Sequence, residues 1–306
     1  MVEITAGLVK ELRERSGAGM MDCKMALTEN DGNIDLSIDW LRAKGITKAA
    51  KKSERIAAEG LIGSLIKNGS AAMIELNSET DFVARNEEFQ DLLRGILEVS
   101  IDNDELESVQ YQDTGRTVAE EINEKIATIG ENIMLRRVTK YENIENEHIF
   151  SYTHNAVAGS LGKIGVLVAI KSKSGIDNLA DFGKGLCMHI AATNPLALTS
   201  NEISPELIER EKQIAFEQAR ESGKSENIIE KMVEGRIKKF TAENALLSQI
   251  FVIDGETKIE KLLENKSSEL NEDIVITRFT RMQLGDGIEK KEDDFAGEVA
   301  AAISKN

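Results

Sequence analysis

The chain has 306 residues, enough for about two to three domains at the usual ~100 to 200 residues each. It carries 54 acidic against 38 basic residues, a formal net charge of -16. Because binding to a phosphate backbone depends on clustered lysine and arginine, this balance argues against direct contact with nucleic acid.

The cysteine content and the hydropathy of the chain indicate the cellular compartment. Cys23 and Cys187 are too few for a disulfide framework, so we expect two free thiols, with one bridge as the alternative. No N-terminal stretch has the form of a secretion signal, and no segment approaches the ~20 apolar residues of a membrane span. The sequence therefore predicts a cytoplasmic protein with no membrane partner.

The N-terminal region predicts a compact module of three short helices. Thr5 is a candidate N-cap of the first helix, and Gly45 is placed to end the third. Trp40 is the expected core anchor, and residues 44–52 read as a linker or an exposed helix. The apolar residues at helical intervals are Leu8, Leu12, Met21, Met25, Leu27, Ile34, Ile38, Trp40 and Leu41.

The pattern then changes to short β-like runs followed by helices. Residues 61–66 and 71–76 flank Asn68-Gly69, a strong hairpin signal. A helix is expected over about 81–99, with Phe89, Leu92, Leu93, Ile96 and Leu97 on one face. The remaining expected elements are a helix over about 118–129 and a strand over 132–138.

The same order recurs in the second half of the chain. Residues 149–154 and 164–170 repeat the hairpin, a helix over about 178–192 follows, and Asp181-Phe182 echoes Asp81-Phe82. Further strands are expected over 250–253 and 274–279. The repetition predicts a duplicated α+β core with antiparallel sheet.

Two helical segments complete the expected elements. Ser204-Pro205 is typical of a helix start, and Gly223 separates two charged segments with narrow apolar stripes, which predicts a projecting, coiled-coil-like hairpin. A last helix is expected from about Asp293, with Phe295 on its apolar side, and it needs a surface to dock on. The charged hairpin is a candidate for dimerisation.

We therefore expect an α+β protein in four parts. The N-terminal module and its linker occupy residues 1–55, and the first core half occupies 56–140. The second core half covers 141–282, with the helical hairpin inserted at about 200–245, and a C-terminal module covers 283–306.

The sequence offers no constellation for catalysis. Gly162-Lys163 has part of a phosphate-binding loop but lacks its first glycine and the hydroxyl residue after lysine. Cys187 and His189 are too few ligands for zinc, and they read better as part of a buried helix. We therefore expect a protein that is not an enzyme and that has no cofactor and no metal. His154, where a strand meets a glycine-bearing loop, is a candidate partner contact, with an ordinary polar rim as the alternative.

Several segments, in collinear order over nearly the whole chain, resemble bacterial elongation factor Ts, the nucleotide-exchange factor of the translational GTPase elongation factor Tu. The segments are residues 11–24 (ELRERSGAGMMDCK), 80–86 (TDFVARN), 185–192 (GLCMHIAA) and 285–290 (GDGIEK). Ser78 departs from this pattern, since some members of the family carry cysteine there.

The resemblance implies a role and a set of contacts. The protein would bind elongation factor Tu in its GDP-bound and nucleotide-free forms, disturb its magnesium and nucleotide site, and so allow GTP to reload. The N-terminal contacts implied are Leu12, Arg13, Met20 and Met21. The residues implied at the magnesium and nucleotide region are Thr80, Asp81, Phe82 and Val83, and a homodimer or a 2:2 complex is possible. His154 and Phe295 would help to hold the distorted partner.

Other interpretations of these residues stay open. Phe82 could pack against Phe89 or the hairpin while Thr80 caps its helix, and Leu12 could be core. At least one of the adjacent Met20 and Met21 should be exposed, because neighbours on a helix point to different sides. An interaction scaffold without exchange activity and an undetected enzyme are the alternative functions.

Overall fold

The computed structural model describes residues 4–16, 18–221, 223 and 225–289, and the prediction of an α+β fold is confirmed. The helices of this part of the chain are α1 (Ala6–Ser16), α2 (Met20–Glu29), α3 (Ile34–Lys52), α4 (Asp81–Ala84), α5 (Glu87–Ser100), α6 (Val118–Ile129), α7 (Ala180–Thr193), α8 (Pro205–Arg220), α9 (Glu226–Asn244) and α10 (Ile259–Leu270). The strands are β1 (Glu59–Lys67), β2 (Ser70–Ser78), β3 (Ile133–Tyr141), β4 (Glu147–His154), β5 (Leu161–Gly162), β6 (Ile164–Lys171) and β7 (Val275–Gln283). None of the helices in these ranges has the length and apolarity needed to cross a bilayer.

The N-terminal module has the three predicted helices, but their core differs from expectation. Leu12, Cys23 and Leu27 are fully buried between α1, α2 and α3. Thr5 caps α1, because the Leu8 N–H donates to its Oγ1 at 3.3 Å. Trp40, the expected anchor, is only partly buried, and the Lys44 ammonium lies 5.1 Å from its ring centroid. The short aliphatic side chains and the thiol therefore form the centre of the module.

The third helix is longer than predicted. It continues through Gly45 to Lys52 instead of ending at the glycine. A Cβ built on Gly45 would lie 3.6 Å from the Cβ of Ala127, which belongs to α6. Gly45 thus lies where α3 packs on the core, and this contact outweighs the low helix propensity of glycine.

The first core half is a hairpin, two covering helices and a third strand. Asn68 and Gly69 both have positive φ, as a two-residue hairpin turn requires, and β3 pairs with β2 in antiparallel orientation. The predicted helix over 81–99 is instead two helices, α4 and α5. The chain breaks there because the Asn86 side chain accepts the Glu88 N–H at 2.8 Å and caps α5. The predicted apolar face of α5 is buried on the sheet.

The second core half has the same strand order. β6 lies between β4 and β7, just as β2 lies between β1 and β3, and α7 packs against this sheet. The predicted return of 274–279 to the sheet is confirmed by β7. The strand expected over 250–253 is wrong. There Ile250 makes one isolated bridge, and the Gly255 N–H donates to the Phe251 carbonyl at 2.8 Å, which closes a turn.

The two sheets pack face to face, so the core has four layers. Buried residues between the sheets include Ile62, Met73, Leu167 and Met282. Alternate residues of β1, β2 and β6 point the other way, onto the helices. Gly165 permits the close approach, since an added Cβ would lie 2.6 Å from a methyl carbon of Ile62.

The inserted helical hairpin is confirmed. α8 begins with Pro205 after Ser204, and Gly223, with φ of 65°, lies in the turn before α9. The seam between the helices is formed by Ala215, Ala219, Ile229 and Val233, with Phe216 and Ile237 at its edge. Small residues on α8 therefore face branched residues on α9. The four domain boundaries stay a prediction.

Gly95 on α5 gives a test of the packing of the first core half. An added Cβ would lie 2.2 Å from the Tyr111 hydroxyl oxygen. We expect Gly95→Ala to lower the free energy of unfolding by about 1 to 3 kcal/mol in urea denaturation, because overpacking outweighs the helix propensity of alanine. Gly235→Ala on α9 is the matched control, since its Cβ meets open space among the described residues, and it should gain up to ~1 kcal/mol. Equal effects of the two substitutions would contradict this packing.

Candidate protein-binding surface

Phe82 projects from a four-residue helix directly after β2. Its side chain is 77% exposed, whereas the next two residues, Val83 and Ala84, are 7% and 1% exposed. The interpretation in which Phe82 packs against Phe89 or the hairpin is therefore wrong. Val83 faces the core of the first half and anchors α4, and this leaves Phe82 outside. A large exposed aromatic side chain on an anchored turn is typical of a protein contact.

The turn before Phe82 is held by two glutamates, which we call the acidic clamp. Glu131 accepts the Thr80 N–H at 2.9 Å and the Thr80 hydroxyl at 2.6 Å. Glu79 in return accepts the Asn132 N–H at 2.6 Å. Thr80 thus directs its hydroxyl to Glu131 and makes no side-chain cap bond to α4, so the alternative in which it merely caps this helix is wrong. Ser78 supports the turn by donating its hydroxyl to the Thr80 carbonyl at 3.0 Å.

Asp81 shares this short helix with Phe82. Its carboxylate pairs with Arg85 at 3.6 Å, and both side chains are largely exposed, so the pair is weak. A carboxylate therefore lies beside the aromatic side chain in sequence, accessible to a partner.

The methionines of α2 form a second exposed surface, which we call the methionine groove. Met20 and Met21 are 59% and 73% exposed, so the expected exposure of at least one of them is confirmed, and both are exposed. Leu12 is fully buried and faces the core of the module, as the alternative interpretation has it. The groove brings together Ile4, Ala6, Val9, Lys10, Arg13, Met20, Met21 and Lys24. Its apolar floor and basic rim, on a chain of charge -16, suit a partner surface that is apolar and acidic.

The histidines differ in environment. His154 is exposed at the end of β4, and its Nδ1 lies 3.1 Å from the Tyr152 hydroxyl. His189 is buried, and the Val252 N–H donates to its Nδ1 at 3.3 Å, which leaves the proton on Nε2 facing Gln249 at 2.9 Å. Burial lowers the pKa of His189, although the bond to Gln249 opposes this. The buried-helix interpretation of this segment is confirmed.

The cysteines and the other candidate ligands do not form a metal site. Both thiols are free and buried, and burial raises the pKa of Cys187 well above its usual range. Among the described residues, no group of three or more histidine, cysteine, aspartate or glutamate side chains could hold a metal ion. Lys163, the lysine of the partial phosphate loop, pairs with Glu59 at 3.1 Å. Phe295 and the helix expected from Asp293 lie outside the described residues, so they stay predictions.

Sequence reasoning missed the acidic clamp. A signal for it does exist, because Gly130-Glu131-Asn132 before β3 matches Asn271-Glu272-Asp273 before β7 in type and position. In both halves the first of these residues ends a helix with positive φ. Glu272 also holds the segment after the middle strand, since it accepts the Ser172 hydroxyl at 2.7 Å and the Lys173 N–H at 2.8 Å.

Glu272 gives a pH-dependent prediction. Hydrogen bonds from Ser174 and Ser172 lower the pKa of Glu272 from 4.5 to about 2. The folded state therefore binds its proton less readily than the unfolded state, and the stabilisation is present above pH 4.5 and is lost as the pH falls towards 2. We expect the difference in urea midpoint between the parent and Glu272→Gln to shrink over this window. A difference that is constant with pH would contradict the assignment.

An exposed aromatic turn and a groove with exposed methionines and a basic rim are the features of a protein that recognises another protein. The family model described as Elongation factor TS matches residues 79–286. The protein is 53% identical over 305 residues to elongation factor Ts of Allorhizobium ampelinum, covering 98% of this chain and 99% of the relative. It is 52% identical over 307 residues to that of Sphingopyxis alaskensis, covering 99% of each chain. The chain belongs to the elongation factor Ts family.

Proposed function

We propose that the protein binds elongation factor Tu and accelerates the release of GDP, so that GTP can load. The observation that carries the proposal is the exposed Phe82 on a clamped turn, in a chain that belongs to this family. The partner would be bound both with GDP and without nucleotide, and the protein itself would carry out no chemical reaction.

Exchange of this kind is differential binding. A factor weakens the binding of GDP only if it binds the nucleotide-free or distorted partner more tightly than the GDP-bound one. A thousandfold acceleration needs ~4 kcal/mol of such preference, at 1.36 kcal/mol per tenfold. Burial of one phenylalanine supplies ~1.5 to 3 kcal/mol, so Phe82 needs help from a wider interface.

The contacts divide into two kinds. Phe82 and Asp81 would form a wedge at the magnesium and nucleotide region, held from behind by Thr80 and Val83. The methionine groove, with Arg13, Met20 and Met21, would hold the partner in all its states. Leu12 would support this groove from the core of the N-terminal module. His154 and Phe295 would add contacts from the second core half and the C-terminal module.

The deciding experiment measures the release of fluorescent GDP from the cognate elongation factor Tu, with and without this protein. A rate that rises with protein concentration and then saturates would support exchange. Unchanged release despite binding would overturn the mechanism and leave a scaffold.

Magnesium gives a second arm of the same experiment. If the wedge acts by disturbing the magnesium site, removal of magnesium should mimic the protein. The acceleration should then be large in millimolar magnesium and should shrink when the ion is chelated. An acceleration independent of magnesium would leave exchange intact but would remove the magnesium part of the proposal.

Self-association through the helical hairpin is the second candidate, alone or in a 2:2 complex. This candidate rests on apolar side chains that are exposed on both helices of the hairpin, away from the seam between them. These are Leu207, Ile214, Ile228 and Met232.

Ile228 tests this candidate. Light scattering coupled to size exclusion should show a dimer for the parent chain and a monomer for Ile228→Glu, because the charge would be buried in the interface. Ile176→Glu, an equally exposed position outside the hairpin, is the control and should leave the mass unchanged. A monomeric parent chain would contradict self-association.

A further inference from the structure

We infer that Glu131 is a positioning residue of the exchange site, which acts by holding the Phe82 turn in its projecting geometry. The inference rests on the proposed function, because it assigns a role within that site. Glu131 does not need to touch the partner. It would act through Thr80, two residues before the aromatic side chain.

The geometry of Glu131 favours this role over a general surface role. Its two carboxylate oxygens each accept one bond from Thr80, at 2.9 Å from the N–H and 2.6 Å from the hydroxyl. Bonds to an ionised acceptor are stronger than bonds between neutral groups, and two bonds to one residue fix its orientation. Thr80 is the residue at which the chain leaves β2 and enters α4, so its orientation sets the direction of Phe82.

The short helix cannot fix that direction by itself. α4 has four residues, and a single turn of helix is unstable in isolation. Val83 and Ala84 bury its inner side, and the clamp fixes its first end. A turn that is ordered before binding loses less entropy when the partner binds, so more of the contact energy of Phe82 remains for distortion.

The clamp also joins the turn to the N-terminal module. The Asn132 side chain donates to the Arg55 carbonyl at 2.8 Å, and the Arg55 guanidinium lies 3.5 Å from Glu79. Lys52, at the end of α3, donates to the Gly130 carbonyl. These bonds join three parts of the chain at one place. The parts are the end of α3, which belongs to the N-terminal module, the turn that carries Phe82, and the start of β3.

The second core half supplies an internal comparison. Glu272 occupies the same position before the third strand and makes the same kind of bonds to the segment after β6. On α7, Phe182 is partly buried and packs against the core of its own half. The acidic clamp thus belongs to the duplicated fold, whereas the exposed aromatic side chain after it belongs to the first half. Glu272 is therefore a matched control for Glu131.

The test is a double-variant cycle on the release of fluorescent GDP from elongation factor Tu at saturating protein. The four chains are the parent, Glu131→Ala, Phe82→Ala and the double variant. We expect Glu131→Ala to slow release about tenfold in the parent background, equal to about 1.4 kcal/mol. In the Phe82→Ala background it should slow release less than about twofold, since the residue it positions is gone. Glu272→Ala should leave the rate unchanged.

A purely structural role would give a different pattern. Glu131→Ala would then slow release by the same factor in both backgrounds, and this outcome overturns the inference. An unchanged rate for Glu131→Ala in the parent background also overturns it, while exchange itself stands. Absence of any acceleration by the parent overturns both the inference and the proposed function, so the two failures are distinguishable.

Variants of Thr80 keep the test valid if Glu131→Ala folds poorly, and hydrogen exchange examines the clamp without the partner. Thr80→Val removes only the hydroxyl donor and keeps the size of the side chain, so it should slow release in the same background-dependent way. Thr80→Ser, which restores the hydroxyl, should recover the parent rate. Hydrogen exchange at the Thr80 amide, measured without the partner, should accelerate in Glu131→Ala and not in Glu272→Ala. Unchanged protection of this amide would overturn the clamp as a positioning device.

Discussion

Replacement of Phe82 by alanine is expected to slow GDP release from elongation factor Tu by roughly ten- to a hundredfold at saturating protein. The magnitude follows from the ~1.5 to 3 kcal/mol gained when a phenylalanine side chain is buried, at 1.36 kcal/mol per tenfold in rate. The side chain is 77% exposed in the free protein, so about three quarters of its surface is available for burial in a complex. The substitution removes no contact of the folded core, so the free energy of unfolding should stay within about 0.5 kcal/mol of the parent.

The dissociation constants of the complexes with GDP-bound and with nucleotide-free elongation factor Tu distinguish a wedge from an ordinary contact. If Phe82 acts only in the distorted state, Phe82→Ala should weaken binding to nucleotide-free elongation factor Tu and leave binding to the GDP-bound form nearly unchanged. By thermodynamic linkage, the factor by which this protein weakens the binding of GDP to elongation factor Tu must then fall as much as the ratio of the two dissociation constants does. Met21→Ala in the methionine groove is the contrast, since it should weaken both affinities alike. If Phe82→Ala weakened both affinities equally, Phe82 would bind the two forms of the partner alike and would not act as a wedge.

A control for Phe82 lies in the second core half, between β6 and α7. Ile176 is also an exposed apolar side chain just before a core helix. Ile176→Ala removes apolar surface of a similar kind without touching the clamped turn. It should leave the release rate within about twofold of the parent, because no exchange contact is assigned to it.

Local signals in the sequence predicted the elements whose ends are set by local bonds. Asn68-Gly69 predicted the first hairpin turn, and both residues have the positive φ that this turn needs. The helix over 118–129 has the predicted bounds because Thr117 and Gly130 close its two ends. The repeated order of strands and helices predicted the duplicated core.

Elements that depend on distant partners were mispredicted or missed. Gly45 does not end α3, because Ala127 of α6 packs against it, and this contact joins residues far apart in the chain. Residues 250–253 have the composition of a strand, but the bond from the Gly255 N–H to the Phe251 carbonyl turns the chain there. The acidic clamp joins Thr80 to a glutamate 51 residues away, and periodicity within one element carries no information on such a pair.

In the candidate site, too, local sequence signals predicted some features and missed others. Exposure of at least one of Met20 and Met21 follows from adjacent positions on one helix, and the structure shows both exposed. Exposure of Phe82 does not follow from helical periodicity, which favours a core position for an apolar residue. It follows from the break at Asn86, since Val83 and Ala84 take the inward positions of a helix that is only four residues long.

Loss of the Glu75 carboxylate is expected to destabilise the fold far more than loss of an exposed carboxylate. Glu75 is fully buried in β2, at the interface of the two sheets. Arg136 donates to both of its oxygens at 3.1 Å, and Arg137 and the Asn77 amide donate to it as well. The Gly285 N–H donates at 2.8 Å, which ties the chain after β7 to the first sheet. One carboxylate thus accepts from donors of the first sheet and from the segment that follows β7.

The expected size of the effect follows from the groups left behind. We expect Glu75→Ala to lower the free energy of unfolding by about 3 to 5 kcal/mol, because it leaves two partly buried guanidinium groups without their paired carboxylate. Glu98→Ala, which breaks the exposed pair with Lys67 at 2.7 Å, should cost at most about 1 kcal/mol. Urea denaturation of both variants gives the comparison. Similar losses would contradict this role of Glu75 and would show that the bonds of Arg136 and Arg137 to the carbonyls of Asp286 and Gln283 hold the two sheets together without it.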